Sequence, residues 1–222
     1  MSKIKLIEAE KKAAFLINEI EKKNLIVPGK SEKDLNTEIF NLAYYLFGIK
    51  KYWHKRIVRA GKNTLYPYKS NPENLVLKED DIIFIDFGPV FEEWEADFGR
   101  TYVLGNDELK IKLMNDVESA WYDCKRFFDT QEKITGAEVY SHALELANYY
   151  GWTFGGEIAG HLIGHFPHEK LEGEDRTNYI HPDNNVDVFA LAKNGAKRDW
   201  ILEIHFIDRE KEIGGFFEQL LT

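Results

Sequence analysis

The chain has 222 residues, 44% hydrophobic and 14% aromatic, which suits a single globular domain over residues 1–222 and excludes a disordered polypeptide. Its net charge of −9 argues against nucleic acid as a partner, because phosphate binding needs a basic patch. One cysteine, Cys124, excludes an internal disulfide and a multi-thiolate zinc site, and its expected role is a buried structural thiol.

Residues 3–24 read as a helix, with Ile4, Ile7, Ala14, Ile17 and Ile20 recurring near helical spacing. The N-terminal stretch Met1 to Phe15 is charged throughout, without the apolar core of a signal peptide, and no apolar run approaches membrane length. A cytoplasmic location and no membrane partner are therefore expected. Pro28-Gly29 ends this unit, and Ser31 caps a second helix that stops at Gly48. A short strand is expected over 56–60, then a polar loop from Gly61 to Asn74. A third helix spans 107–129, and Thr135 with Glu138 forms a capping-box signature for a fourth, ended by Gly151. The best later strand candidates are Trp200 to Phe206 and Phe216 to Leu221. The order helix, helix, strands thus occurs twice. Segregated helices and strands favour an α+β fold made of two related halves.

The chemistry concentrates in two stretches. In the first, the apolar run Ile82 to Ile85 ends in Asp86, and Asp97 follows after an acidic segment. Each carboxylate precedes Phe-Gly. A carboxylate closing a buried strand is costly unless paired or metal-bound, and two on neighbouring strands would repel each other. A cation would hold both, although an Asp at a strand end also serves in turns and caps. The repeated Asp-Phe-Gly does not indicate a kinase, because the Gly-rich loop, the strand lysine and the His-Arg-Asp loop are missing. In the second stretch, His161, His165 and His168 fall at spacings of four and three, but Gly160, Gly164 and Pro167 argue against a helix presenting all three. At least one is a candidate ligand. Glu203 and Glu218 interrupt the two late apolar strands, where alternation would also allow them to face solvent.

Taken in order, Asp, Asp, His, Glu, Glu resembles the ligand set of the pita-bread metallopeptidases: methionine aminopeptidase, Xaa-Pro aminopeptidase and prolidase. Ala96-Asp97-Phe98-Gly99-Arg100-Thr101 is most similar to the Xaa-Pro branch, and Gly160-His161-Leu162-Ile163-Gly164 is similar to methionine aminopeptidases. Gly29-Lys30-Ser31-Glu32 and Gly61-Lys62-Asn63 also look like family landmarks. The resemblance covers nearly the whole chain, as a stand-alone catalytic domain. It implies a pita-bread fold, with the two halves around a curved antiparallel sheet.

The resemblance also implies that Asp86, Asp97, His161, Glu203 and Glu218 bind two divalent ions. Their oxygen-rich donor set suits Mn²⁺, Co²⁺, Fe²⁺ or Zn²⁺. It further implies removal of one N-terminal residue from a peptide by a bridging hydroxide that attacks the scissile carbonyl. Glu203 would shuttle the proton and His168 would hydrogen-bond substrate or oxyanion. Tyr68 and Glu157 stand where the Xaa-Pro enzymes have substrate-contacting histidines, so specificity for proline is not implied. The segment Leu171 to Asp199 looks long for the family and is a candidate lid. Three readings follow: an aminopeptidase, a hydrolase of a non-peptide C–N bond in a small amide, and a non-catalytic module that binds a peptide or partner. Monomer and homodimer are both left open.

Overall fold

The computed structural model describes residues 2–167, 176–192 and 195–222. Helix α1 is Ser2–Lys22 and helix α2 is Glu32–Phe47. Strands β1 (Ile57–Ala60), β2 (Ile82–Phe87), β3 (Val90–Phe91), β4 (Trp94–Glu95) and β5 (Phe98–Val103) complete the first half. Helices α3 (Glu108–Asp129) and α4 (Gly136–Tyr150) open the second. Strands β6 (Thr153–Phe154), β7 (Gly160–Ile163), β8 (Asp199–Asp208) and β9 (Ile213–Leu220) follow. The architecture is α+β, with the expected order of helices and strands.

The expected boundaries of α2, α3 and α4 hold because each of these helices has a cap. Ser31 and Asp34 form a reciprocal capping box on α2, as Thr135 and Glu138 do on α4. Asp107 accepts from the amides of Leu109 and Lys110 at the start of α3. Gly48 and Gly151 end their helices in the left-handed conformation. The buried face of α1 differs from the expectation. Ile4 and Ile7 are exposed, and the core-facing residues are Leu6, Ala9, Ala13, Leu16, Ile17 and Ile20, a more regular stripe at the helical period. Among the described residues no helix is long and apolar enough to cross a membrane.

All pairings in the main seven-stranded sheet are antiparallel, in the order β1-β2-β5-β9-β8-β6, with β7 also pairing β8. Each half packs its helices on an apolar cluster. Ile83, Ile85 and Phe87 of β2 meet α1 and α2. Trp200, Leu202, Ile204 and Phe206 of β8 meet α3 and α4. Trp121 ties α3 to β8 by donating its indole N–H to the carbonyl of Leu202 at 2.8 Å. Alternation along each strand turns the other residues, Asp86 on β2, Glu203 on β8 and Glu218 on β9, to the opposite face of the sheet.

The segment expected as a lid is in part core. Ile180 and Val188 are buried in the second half's apolar cluster, and the Ile180 backbone bonds that of Gly160 and Ala159. Residues 171–175 and 193–194 of that segment lie outside the described residues. Cys124 is buried, and burial pushes its thiol up to about 12, as suits an inert structural residue.

Candidate metal centre

The strand register builds the site along one row of the sheet. Asp86 stands opposite Gly99, Gly99 opposite Glu218, and Glu218 opposite Glu203. The row crosses four strands, β2, β5, β9 and β8, and carries three carboxylates. Gly99 is the gap that admits them: a Cβ there would come within 2.5 Å of the Phe216 ring and 2.9 Å of the Glu218 Cβ. Asp97 lies just ahead of β5, and His161 on β7 pairs with Ile201, two residues from Glu203 and so on its face. Asp86, Asp97, His161 and Glu218 are buried, and Glu203 is partly so. Glu218 is 2% exposed, which removes the solvent-facing alternative for that strand.

Arg100 and Thr101 clamp β5 to β9. The guanidinium donates to the carbonyls of Gly99 and Glu218 at 2.7 and 2.9 Å and to the Gln219 side chain, sandwiched between the Phe98 and Phe217 rings. The Thr101 hydroxyl donates to the Phe216 carbonyl at 2.8 Å and accepts from its amide at 2.7 Å. These side chains supply bonds where the strand ladder itself is short. They also fix Glu218 relative to Asp97.

The site also holds a residue that the sequence reading missed. His54, between α2 and β1, places its Nε2 3.0 Å from Asp97 Oδ1 and 3.5 Å from Asp86 Oδ1. His161 Nε2 lies 3.1 Å from Asp97 Oδ2 and 3.7 Å from Glu218 Oε1. Two tight donor groups result: His54, Asp86 and Asp97; and Asp97, His161 and Glu218. Glu203 borders the second through Glu218. The signal available in the sequence was scarcity, since His54 is the only histidine before His142.

The electrostatics are those of crowded, desolvated charge. Burial raises Asp86 to about 7, partly offset by His54. Burial raises Glu203 to about 7, partly offset by His161. Burial and then the charges of Asp97 and Asp86 hold Glu218 well above the usual carboxylate range. Burial alone would raise Asp97 and lower His54, but their mutual attraction wins: Asp97 falls and His54 rises to about 9. His161 is raised for the same reason, its hydrogen bonds to Asp97 and Glu218 outweighing burial. Within the cluster, Asp86 Oδ1 is buried without a hydrogen-bond partner. The donor set therefore fits divalent metal: buried carboxylates and imidazoles, an orphaned carboxylate oxygen, and carboxyl groups that metal would relieve of their protons.

Other expected site residues fall around this centre. Tyr68 is half-exposed; its ring lies edge-on to His54 with centroids 5.7 Å apart. Glu157 is exposed, lies 3.7 Å from the Lys69 ammonium and belongs to neither tight donor group. His165 is exposed beside Glu93 and joins neither group. His168 lies outside the described residues. His205 is buried in contact with the Thr64 carbonyl at 2.8 Å, and burial holds it down at about 4, so it is a neutral structural donor.

Three similarities bear on this geometry. The chain is 24% identical over 140 residues to a Xaa-Pro dipeptidase of Pyrococcus horikoshii, covering 63% of this chain and 38% of that protein. The X-Pro aminopeptidase structure from Thermotoga maritima superposes with a TM-score of 0.77 at 22% identity, covering 98% of this chain and 56% of that one. The methionine aminopeptidase structure from the same organism superposes at 0.68 with 20% identity, covering 96% of this chain and 88% of that one. The chain spans little more than a third of the curated relatives it matches. These structures share the pita-bread fold that the first reading implied. Residues 5–191 match the profile of Metallopeptidase family M24, and the chain belongs to that family.

Proposed function

We propose that the chain is a dinuclear metal-dependent aminopeptidase, with Asp86, Asp97, His161, Glu203 and Glu218 as ligands. The observation that carries the reading is the convergence of these carboxylates and His161 on one face of the sheet, with Asp86 Oδ1 buried without a hydrogen bond. Four carboxylates balance two dications. Bound there, the ions would supply Lewis-acid polarisation of an amide carbonyl and an acidified water. Glu203, at the edge of the cluster and partly accessible, is suited to take a proton from the attacking water and return it to the leaving amine. His168 is assigned the hydrogen bond to substrate or oxyanion. Tyr68, edge-on to His54, is assigned a substrate contact, and Glu157 is assigned one by the family resemblance alone. Xaa-Pro-named relatives favour peptides cut after the first residue.

The test is metal content by elemental analysis, before and after chelation and re-addition of Mn²⁺, Co²⁺, Fe²⁺ or Zn²⁺. A panel of Xaa-Pro and Met-Xaa peptides follows. Two ions per chain and metal-dependent release of the N-terminal residue are expected. Failure to bind any of these metals would overturn the reading.

A further inference from the structure

We propose that His54 is a sixth protein ligand of the metal centre, holding one ion together with Asp86 and Asp97. The inference rests on the dinuclear reading above and adds a second imidazole to it. Three observations carry it.

The first is the pairing of the two histidines. His54 Nδ1 lies 2.7 Å from the carbonyl of Lys55, and His161 Nδ1 lies 2.8 Å from the carbonyl of Leu162. A carbonyl only accepts, so each Nδ1 carries a proton, and each Nε2 is the nitrogen turned toward the carboxylates, where a metal would displace its proton. A backbone carbonyl on the remote nitrogen is the usual way to fix a metal-binding tautomer. Each Nε2 then faces one oxygen of Asp97, His54 on Oδ1 at 3.0 Å and His161 on Oδ2 at 3.1 Å. Asp97 is thus the shared member of two equivalent arrangements. An imidazole lone pair against a carboxylate oxygen is repulsive unless a positive charge lies between them.

The second is that His54 is held, not draped. A Cβ on Gly88 would come within 2.1 Å of the His54 ring and 2.3 Å of the Trp53 indole, so Gly88 leaves the space that both occupy. The amide of Trp53 donates to the Gly88 carbonyl at 2.9 Å, and its indole N–H donates to the Ala96 carbonyl at 3.2 Å. Trp53 therefore ties the His54 segment to the ends of β2 and β5, beside both aspartates. Tyr68 supports the other side, its ring edge-on to His54 and its hydroxyl accepting from the Lys55 amide at 3.3 Å.

The third is the orphaned oxygen. Asp86 Oδ1, 3.5 Å from His54 Nε2, has no hydrogen-bond partner although its residue is 8% exposed. A cation bound by His54, Asp86 and Asp97 would satisfy it. With an imidazole in each donor group, both positions would suit Co²⁺, Zn²⁺ or Fe²⁺ better than Mg²⁺ or Ca²⁺.

The test uses the full chain loaded with Co²⁺. Proton NMR of a Co²⁺ protein displays each ligating imidazole as a paramagnetically shifted, solvent-exchangeable Nδ1–H resonance. Two such resonances are expected at full loading, and His54→Ala should remove one while His161→Ala removes the other. By calorimetry, His54→Ala should weaken one of the two Co²⁺ sites at least about 10-fold and spare the other. The wild-type spectrum needs no variant, so a misfolded substitution leaves the test intact. Two bound ions with a single shifted imidazole resonance would overturn the role of His54 and leave the dinuclear centre standing. One ion in the wild type, with a second gained in His54→Ala, would make His54 a protonated substitute for a metal and overturn the inference. No bound Co²⁺ would overturn the dinuclear reading itself.

Discussion

Glu32 and the cluster at Asp86, Asp97, Glu203 and Glu218 are both acids in the interior, and they are handled in opposite ways. Glu32 is 6% exposed. It accepts from the Ala60 amide at 2.7 Å, from the Asn63 side chain at 3.0 Å and from the Leu75 amide at 3.1 Å. Burial raises it and these donors pull it back. Its charge is answered by fixed N–H groups, and the result is a joint between the start of α2 and the turn after β1. The cluster has few such donors. Its carboxylates face one another and two histidines, and one oxygen, Asp86 Oδ1, has no hydrogen bond. A buried acid surrounded by amides is architecture. Buried acids surrounded by acids repel one another unless positive charge is placed among them.

The hardest test of this contrast is Asp97→Asn. Asp97 meets both histidines and belongs to both donor groups, so removing its charge should disturb both ions together. Metal content should fall from two ions toward none, and peptide cleavage should fall at least about 100-fold. Elemental analysis after dialysis and an initial-rate assay check it. Full metal retention would mean that the Asp97 charge is not needed to hold the ions, and its place in both donor groups would be structural.

Glu32→Ala should have the opposite profile. It strands two backbone amides and the Asn63 side chain in the interior, at a cost of about 2–4 kcal/mol. Urea unfolding would read this as a lower midpoint. Metal stoichiometry of the folded fraction should be unchanged, because Glu32 belongs to neither donor group. Glu32→Gln, which keeps an acceptor, should lose less. Loss of metal without loss of stability would blur the two classes.

Much of this was legible in the sequence, for local reasons. Ser31, Thr135, Gly48 and Gly151 mark helix ends because caps are decided within a few residues. Asp86 stood out because it closes a continuous apolar run, and Glu218 because large apolar residues flank it on both sides. Gly29 to Glu32 and Gly61 to Asn63 were recognisable as landmarks, and the Glu32–Asn63 bond gives them a physical reason. His54 was not legible. It sits outside any strand or helix, with no periodic pattern around it, and reaches Asp97 only because β2 and β5 pair and Gly88 leaves room. The face of α1 was only partly legible: Ile17 and Ile20 are core, but apolar residues occur around much of that helix, and packing leaves Ile4 and Ile7 exposed.

Glu10 offers the finest test, because it lies between the two classes. It is half-buried on α1, accepts one bond from the Leu220 amide at 3.1 Å, and is raised by burial to about 7, from 4.5. One donor offsets only part of the desolvation. The folded state therefore binds this proton more tightly than the unfolded state does. Stability from the group is fully present below about 4.5, declines as pH rises toward 7, and is lost above it. Glu10→Gln keeps an acceptor for Leu220 and has no charge to desolvate. The variant should match the wild type at pH 5 and exceed it by about 1–2 kcal/mol at pH 8, a figure reduced for the partial exposure of the group. Thermal or urea unfolding of the metal-loaded protein at the two pH values checks it. A less stable Gln variant at pH 8 would mean that the attraction of Arg100 exceeds the cost of burial. Glu10 would then join the acids held by charge, and the division between amide-held and charge-held carboxylates would have to be drawn by measured pairing energy instead of by counting donors.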